Sequence, residues 1–442
     1  MNDRKKSGAF INARSFIAAL VIIAALMILG YISTLLLPCE GIPFWKWLLS
    51  PALVLFSDDS VTLIAVIVFL LVIGGVFNAL TDNGVMRYMV DKIAFKYGAR
   101  RYKLMAVVMF FFMALGSLIG SFEEVVPMVP IVVALAVRLG WDPLTGLAMS
   151  LLSVGCGFAA GIFNPFTVGV AQEIAGLPMF SGAWFRAINF AFIYLLLLWF
   201  TRSHAKKVDG GVRAVVGEDF AADRGKDRGV LLFAAIMAVG IAAVMSSALI
   251  TALRDYTFVI VSVMFLVAGV AACLGAGMRP GAFARSFGRG LVSILPAVLM
   301  ILMASSIKFT LETAGVLELI ISAAIGAASA LPRWAIILFI YLLALIMNFF
   351  IASGSAKAIM LTPLLVPLAE PFGISAQLVI VAYAFGDGFS NTFYPTNPAL
   401  LISLGLADTS YSDWVKYSWS FQLLNLALTS CLLLLGLATG LS

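Results

Sequence analysis

Glu123, Glu124, Lys357 and Asp387 fall inside stretches that are otherwise apolar. A charge at the centre of a bilayer costs at least about 2.5–3.5 kcal/mol. Side chains kept at that cost pair with one another, or act on an ion or a substrate. Lys357 can pair with a carboxylate, either Asp387 or one of the two glutamates. Substrate or a proton can then modulate the pairing, so proton coupling is open to these groups. The structural alternative is a salt bridge that only holds the segments together.

Each of these charges sits beside a sequence that breaks a helix. Gly116 to Glu124 interrupts an apolar stretch at 104–138, and Asn348 to Lys357 interrupts one at 333–370. Asn164-Pro165-Phe166-Thr167 interrupts 143–178. Gly386 to Asn391, followed by Tyr394-Pro395-Thr396-Asn397-Pro398, interrupts 375–406. Unwound backbone inside a membrane must be buried in protein or line a cavity. Helix N-termini at such breaks carry partial positive charge and face anions, while unwound carbonyls suit a small cation such as sodium. The candidate binding residues are therefore Ser121, Glu123 and Glu124 in the first interruption, and Asn164 and Thr167 in the second. Ser353, Ser355 and Lys357 follow in the third, and Asp387, Ser390, Asn391, Thr396 and Asn397 in the fourth. The plainer reading of the Asn, Ser and Thr residues is hydrogen bonding between helices. That reading weighs more for Asn348 and Thr310, and the run Phe110 to Phe112 reads as packing.

The elements that position these residues follow from composition. The 442 residues are 62% hydrophobic and 11% charged, with a mean hydropathy of +1.08. A soluble domain of this size cannot hide so much apolar surface, whereas a bilayer accommodates it. The chain reads as an all-α polytopic membrane protein. Full spans are expected near 15–37, 60–82, 183–201, 230–253, 257–276, 290–313 and 413–438, with Trp45, Lys46 and Trp47 marking an interfacial segment. Met86 to Tyr97 and Val316 to Leu331 read as amphipathic pieces on the membrane surface. The halves of 104–138 fall short of the ~20 residues a span needs, and both ends are basic. A hairpin that enters and leaves on one side explains both facts. The segments 143–178 and 375–406 read as single spans broken in the middle.

Span, amphipathic piece, hairpin, broken span and span thus occur twice in the same order. The first repeat covers 1–201, the polar linker 202–229 and the second repeat 230–442. The count is about nine transmembrane helices plus two re-entrant hairpins. Most of the 28 Lys and Arg residues then fall on one side, which the positive-inside rule makes cytoplasmic, N-terminus included. An odd number of crossings separates equivalent spans, so the two repeats are inverted. This is the layout of alternating-access carriers, with the four interruptions converging near the midplane. The expected location is the bacterial inner membrane, with lipid as surroundings.

Other chemistries find little support. Cys39, Cys156, Cys273 and Cys431 are scattered without metal-ligand spacing and read as small core residues. The single histidine, His204, lies in a basic loop, so no metal site is expected. The basic balance reports topology, not nucleic-acid binding. An intramembrane enzyme would need paired catalytic groups that the chain lacks. An ion channel would want a continuous polar pore, and a receptor a soluble signalling domain. A secondary transporter for a small carboxylate or amino acid fits best, with no cofactor beyond a bound sodium ion or a proton.

Asn164-Pro165-Phe166, Ala171 to Pro178, Ser353-Gly354-Ser355 and Gly386 to Asn391 with Pro395-Thr396 resemble the YfcC family. That family is similar to the anaerobic four-carbon-dicarboxylate carriers and belongs to the wider ion transporter superfamily. The resemblance covers about residues 60–420 and implies a homodimeric carrier in which hairpins and broken spans move as an elevator-like unit. Members are described as dicarboxylate carriers or as arginine/ornithine-type antiporters of basic amino acids, so the substrate does not carry over. Lys357 departs from the pattern, since a neutral polar residue is expected after Ser-Gly-Ser. A fixed cation there could replace sodium or neutralise a substrate carboxylate.

Overall fold

A computed structural model describes residues 13–57, 60–120, 122–210, 222–249, 257–328, 331–351 and 353–441. Among the described residues every regular element is helical. Seven helices are long and apolar enough to cross a membrane, and Leu20–Leu36 and Val259–Gly275 are shorter apolar helices. The protein is a multi-pass membrane protein.

Helices lie at the expected spans in chain order. Helix α1 is Ala13–Leu36, and α2 is Ser60–Asp82. A short helix at Phe44–Leu48 carries the interfacial tryptophans, and Trp47 stacks on Tyr31 at 4.8 Å. Amphipathic α3 is Val85–Tyr97. The first hairpin consists of α4 (Arg101–Ile119) and α5 (Val129–Arg138), joined through a 3-10 turn at Glu123–Met128. At 19 residues α4 is longer than the interruption at Gly116 suggests. The chain does not unwind at Gly116; the glycine instead lets α4 press on the main chain of the next segment.

The first broken span begins with α6 (Pro143–Leu147), runs through a π-helical turn at Ala148–Leu152 and continues as α7 (Ser153–Ala160). It breaks at 161–164 and resumes as a π-helical turn, Pro165–Gly169, and α8 (Val170–Ile174). Helix α9 (Ala183–Lys207) closes this half. Helices α10 (Arg224–Leu249) and α11 (Thr257–Gly275) follow. Helix α12 runs Pro280–Thr313, starting ten residues before the span expected near 290–313, so Arg285 and Arg289 lie in its first turns. Basic side chains at a helix end reach the polar surface by extending their stems, which leaves no need for a loop.

The second set comprises amphipathic α13 (Val316–Ala328), a hairpin of α14 (Arg333–Phe350) and α15 (Gly354–Ala369), and a second broken span. That span is α16 (Ala376–Gly388), a 3-10 turn at Phe389–Thr392, and α17 (Pro398–Leu406). Helix α18 (Tyr411–Thr439) ends the chain.

The two ends of each hairpin meet. Arg101 Nη1, at the start of α4, donates to the Leu139 carbonyl just past α5 at 2.9 Å. Arg333 Nη2, at the start of α14, donates to the Gly373 carbonyl just past α15 at 2.8 Å. Each segment therefore leaves where it entered. The same end of the bundle as Arg101 gathers the basic segments through ion pairs. Arg101 meets Asp209 at 2.5 Å, Arg138 meets Asp91 at 2.8 Å, Arg289 meets Asp82 at 2.8 Å, and Lys92 meets Asp227. Exposed pairs of this kind contribute about 0–1 kcal/mol each, so they report proximity more than stability.

Packing inside the bundle depends on small residues, as it does where lipid supplies no hydrophobic drive between helices. Helices α2 and α12 cross at Gly74 and Gly290. Helix α4 presses on α7 where Gly116 and Gly157 face main-chain atoms, and α14 presses on α16 at Gly386. A methyl group on Gly386 would stand 2.6 Å from Ala344 Cβ and 2.9 Å from the Tyr341 carbonyl oxygen.

Some local expectations differ. His204 lies in the last turn of α9, not in a loop, and its Nε2 is 2.9 Å from Asp142 Oδ2. Cys156 and Cys273 are buried, but Cys431 is exposed on α18 and is not a core residue.

Candidate functional site

The four interruptions meet. Gly120, with φ of +72°, ends α4 directly against the Asn164 carboxamide in the first break. Ser117 Oγ accepts from Ile162 N at 2.9 Å, and Phe163 N donates to Ser117 O at 3.0 Å. From the other half, Ser355 Oγ donates to Phe166 O at 2.8 Å. Gly388 lies on Ala159, and Gly155 lies on Thr392, so the two broken spans touch where each unwinds.

Both breaks restart in the same way. Asn164 Oδ1 accepts from Phe166 N and Thr167 N at 3.0 and 3.1 Å. Asn397 Oδ1 accepts from Ala399 N and Leu400 N at 2.9 and 3.3 Å. In each case Asn-Pro supplies a cap and a first residue that needs no donor. Ser353 caps α15 through Ala356 N at 3.4 Å.

The centre of the cluster is Lys357. Its side chain is fully buried, as is that of Asp387. Nζ donates to Asp387 Oδ1 at 2.6 Å, to the Ile351 carbonyl at 3.0 Å and to Asn348 Oδ1. An ammonium has three hydrogens, so this set uses all of them. Asp387, not the glutamate pair, is its carboxylate partner. Asn348 is the hub around it, its two Nδ2 hydrogens shared among Asp387 O at 3.0 Å, Ser390 Oγ at 2.7 Å and Asn391 Oδ1 at 3.0 Å. Asn391 returns a bond to Asp387 O at 2.9 Å and receives one from Asn397 at 3.1 Å.

The other carboxylate oxygen has a different environment. Among the described residues, Asp387 Oδ2, Thr167 Oγ1 and Asn164 Nδ2 are buried without a hydrogen-bond partner. Buried polar atoms are almost always satisfied, and each exception costs about 1–3 kcal/mol unless something fills it. Asp387 Oδ2 and the Thr167 methyl both lie against Gly354. A methyl group on Gly354 would stand 2.7 Å from Asp387 Oδ2, 2.5 Å from Thr167 Cγ2 and 3.4 Å from Phe158 Cζ. Tyr383 holds the spot by donating to Gly354 O at 2.5 Å. Gly354→Ala is therefore expected to press a methyl onto the unpaired Asp387 Oδ2 and the Thr167 methyl. The overpacking should cost about 1–3 kcal/mol of stability, read as a lower unfolding midpoint, while substrate uptake in proteoliposomes falls at least about tenfold.

Of the remaining candidates, Thr396 Oγ1 is also buried without a partner, while Ser390 donates to Gly386 O at 2.8 Å within the hub. Ser121 lies outside the described residues, as do the side chains of Glu123 and Glu124, whose backbone forms the 3-10 turn. No group of three or more His, Cys, Asp or Glu residues sits together for a metal among the described residues.

Arg186 was not singled out from the sequence. It is 1% exposed in the first turn of α9 and touches no carboxylate among its hydrogen-bond partners. It donates to the carbonyls of Ile162 at 3.0 Å, Ser181 at 2.7 Å and Phe180 at 3.2 Å. It thus ties the first break to the turn before α9. Gln172 and Gln377 add a bridge between the halves at 3.1 Å. Arg186→Met should strip the Ile162 and Phe180 carbonyls of their donor and destabilise the protein by about 3 kcal/mol, read from thermal unfolding in detergent.

The profile of the family described as DcuC, C4-dicarboxylate anaerobic carrier, matches residues 47–438. The chain belongs to this family. It is 29% identical over 373 residues to a protein of Escherichia coli K12 named "Putative basic amino acid antiporter YfcC", covering 80% of this chain and 74% of that one. It is 22% identical over 391 residues to an uncharacterized protein of Haemophilus influenzae, covering 86% of this chain and 75% of that one. The solved Alcanivorax borkumensis YdaH transporter aligns with a TM-score of 0.47 and 17% identity, over 96% of this chain and 98% of that one, a likeness too low to fix a shared fold. The protein is a membrane transporter for a small molecule, not an enzyme.

Proposed function

We propose that this family member is a secondary active transporter that carries an amino acid across the bacterial inner membrane by alternating access, through ion coupling or exchange. The observation that carries the reading is the unpaired Asp387 Oδ2, buried against Gly354 and Thr167. Lys357 has no hydrogen left for a substrate carboxylate, so the free anionic oxygen is the group on offer, and it attracts an amine. The N-terminus of α15, which begins at Gly354, lies beside it and suits the α-carboxylate. An amino acid supplies both groups on one carbon. The printed name of the Escherichia coli relative agrees with a basic amino acid. The family description favours a second reading, a four-carbon dicarboxylate, with the α15 N-terminus as its anion site.

This reading keeps Ser121, Glu123 and Glu124 as candidate binding residues on the strength of the sequence alone. The recurring element order and the tied hairpin bases support two inverted repeats, 1–201 and 230–442, about a linker at 202–229. The clustering of basic segments at one end supports a cytoplasmic N-terminus. A homodimer with an elevator-type stroke completes the proposal on the strength of the family resemblance.

The test is uptake into proteoliposomes of labelled lysine, arginine, ornithine, neutral amino acids, succinate and fumarate, each with preloaded partners. Saturable uptake of an amino acid, competed by its relatives, is the expected result. Uptake of dicarboxylates alone supports the second reading, and non-saturable flux contradicts both in favour of a channel.

A further inference from the structure

The atoms around Lys357 Nζ are all oxygens, and their types matter. One is a carboxylate oxygen, Asp387 Oδ1 at 2.6 Å; one is a main-chain carbonyl, Ile351 O at 3.0 Å; one is an amide oxygen, Asn348 Oδ1. Ile351 caps the C-terminal end of α14, where the helix dipole favours a cation. Unwound carbonyls and half-helix C-termini coordinate sodium in broken-helix transporters, and carboxylate and carboxamide oxygens are ligands of the same hard kind. They are equally the donors that an ammonium satisfies. Asn348 is itself held by its Nδ2 group, whose two hydrogens are shared among Asp387 O, Ser390 Oγ and Asn391 Oδ1, so the cage does not depend on the lysine alone for its shape.

We propose that these three oxygens form a monovalent-cation site that Lys357 occupies with its own ammonium. The protein then needs no inorganic cation at this position, and truncating the side chain so that the space around the oxygens opens converts the site into one that binds sodium. The charge count is the same in both cases: one positive charge opposite Asp387, without which that buried carboxylate stands alone. The inference deepens the carrier reading by assigning how the site is charge-balanced, but its test needs no substrate.

The experiment compares purified wild type, Lys357→Ala and Lys357→Met in detergent. Thermal unfolding is followed in sodium chloride and in choline chloride at equal ionic strength, with binding of radioactive sodium as a second readout. Wild type is expected to show the same midpoint in both salts and no sodium binding that Asp387→Asn removes. Lys357→Ala leaves the oxygens in place and opens room for the ion. Its midpoint should rise by about 3 °C or more in sodium, and it should bind the isotope saturably. Recovery of this variant as a monodisperse protein only when sodium is present would support the proposal equally. Lys357→Met fills the space with an apolar chain and should gain nothing from sodium. Introducing Asn348→Ala into the Lys357→Ala background should abolish the gain.

The proposal is overturned if Lys357→Ala has the same midpoint in both salts and binds no sodium. It is also overturned if that variant aggregates in sodium as readily as in choline, since the cage then cannot accept the ion. A sodium-dependent shift in wild type that Asp387→Asn removes would overturn it as well. Failure here leaves the amino-acid uptake panel unaffected, because a site without a cation cage can still bind substrate at Asp387 Oδ2.

Discussion

Asp387→Asn is expected to abolish substrate uptake, lowering the initial rate at least about 100-fold, the equivalent of roughly 3 kcal/mol. The substitution keeps the side chain's shape but removes the charge of the unpaired oxygen that lies against Gly354. It also leaves the buried Lys357 ammonium without its anion, although the Ile351 and Asn348 oxygens still receive it. Asp387→Glu keeps the charge and adds a methylene where Gly354 leaves no room, so it should restore little. Proteoliposome uptake with matched protein content measures both. Uptake by Asp387→Asn within about threefold of wild type would show that the carboxylate serves only the fold.

The second large effect separates fold from function. Lys357→Met alone should destabilise the protein by about 3–5 kcal/mol, because Asp387 then keeps a buried charge with no partner. The double variant Lys357→Met with Asp387→Asn removes both charges together and should return to within about 1–2 kcal/mol of wild type. Uptake should stay lost in the double variant. Thermal unfolding gives the stabilities, and the same preparations give the transport rates. Stabilities that simply add would mean that the two groups do not interact, against a separation of 2.6 Å between Nζ and Oδ1. Recovery of transport along with stability would make the pair a structural clamp.

Much of this arrangement was legible before any coordinates, and particular residues show why. Apolar runs of spanning length have few alternatives in a membrane, so the helices around 60–82, 183–201 and 413–438 followed from the sequence. Gly and Pro placed against Asn and Ser fixed the breaks, and Asn164-Pro165 and Asn397-Pro398 restart their helices as that chemistry requires. The partner of Lys357 was open between Asp387 and the glutamates. Spacing along the chain cannot decide between two carboxylates that both lie on irregular segments. The Asn348 hub was underrated because an asparagine inside an apolar helix reads as ordinary interhelical bonding, and its three partners lie about 40 residues onward. Arg186 was invisible for another reason. A cation in the first turn of a span reads as an interfacial anchor, and its partners are backbone carbonyls, which carry no signature in sequence. Gly354 was quoted only as part of a motif, since nothing in a sequence says which glycine stands opposite an unpaired carboxylate oxygen.

The account's central claim is a substrate site built on Asp387, Thr167 and Gly354. Equilibrium binding of a labelled amino acid to the purified protein, by scintillation proximity, tests it most directly because it needs neither a gradient nor a lipid barrier. The account predicts saturable binding to wild type that falls below detection in Asp387→Asn and at least about tenfold in Gly354→Ala, with both variants folded. Binding at wild-type affinity in both variants would contradict the account and place the substrate elsewhere in the bundle.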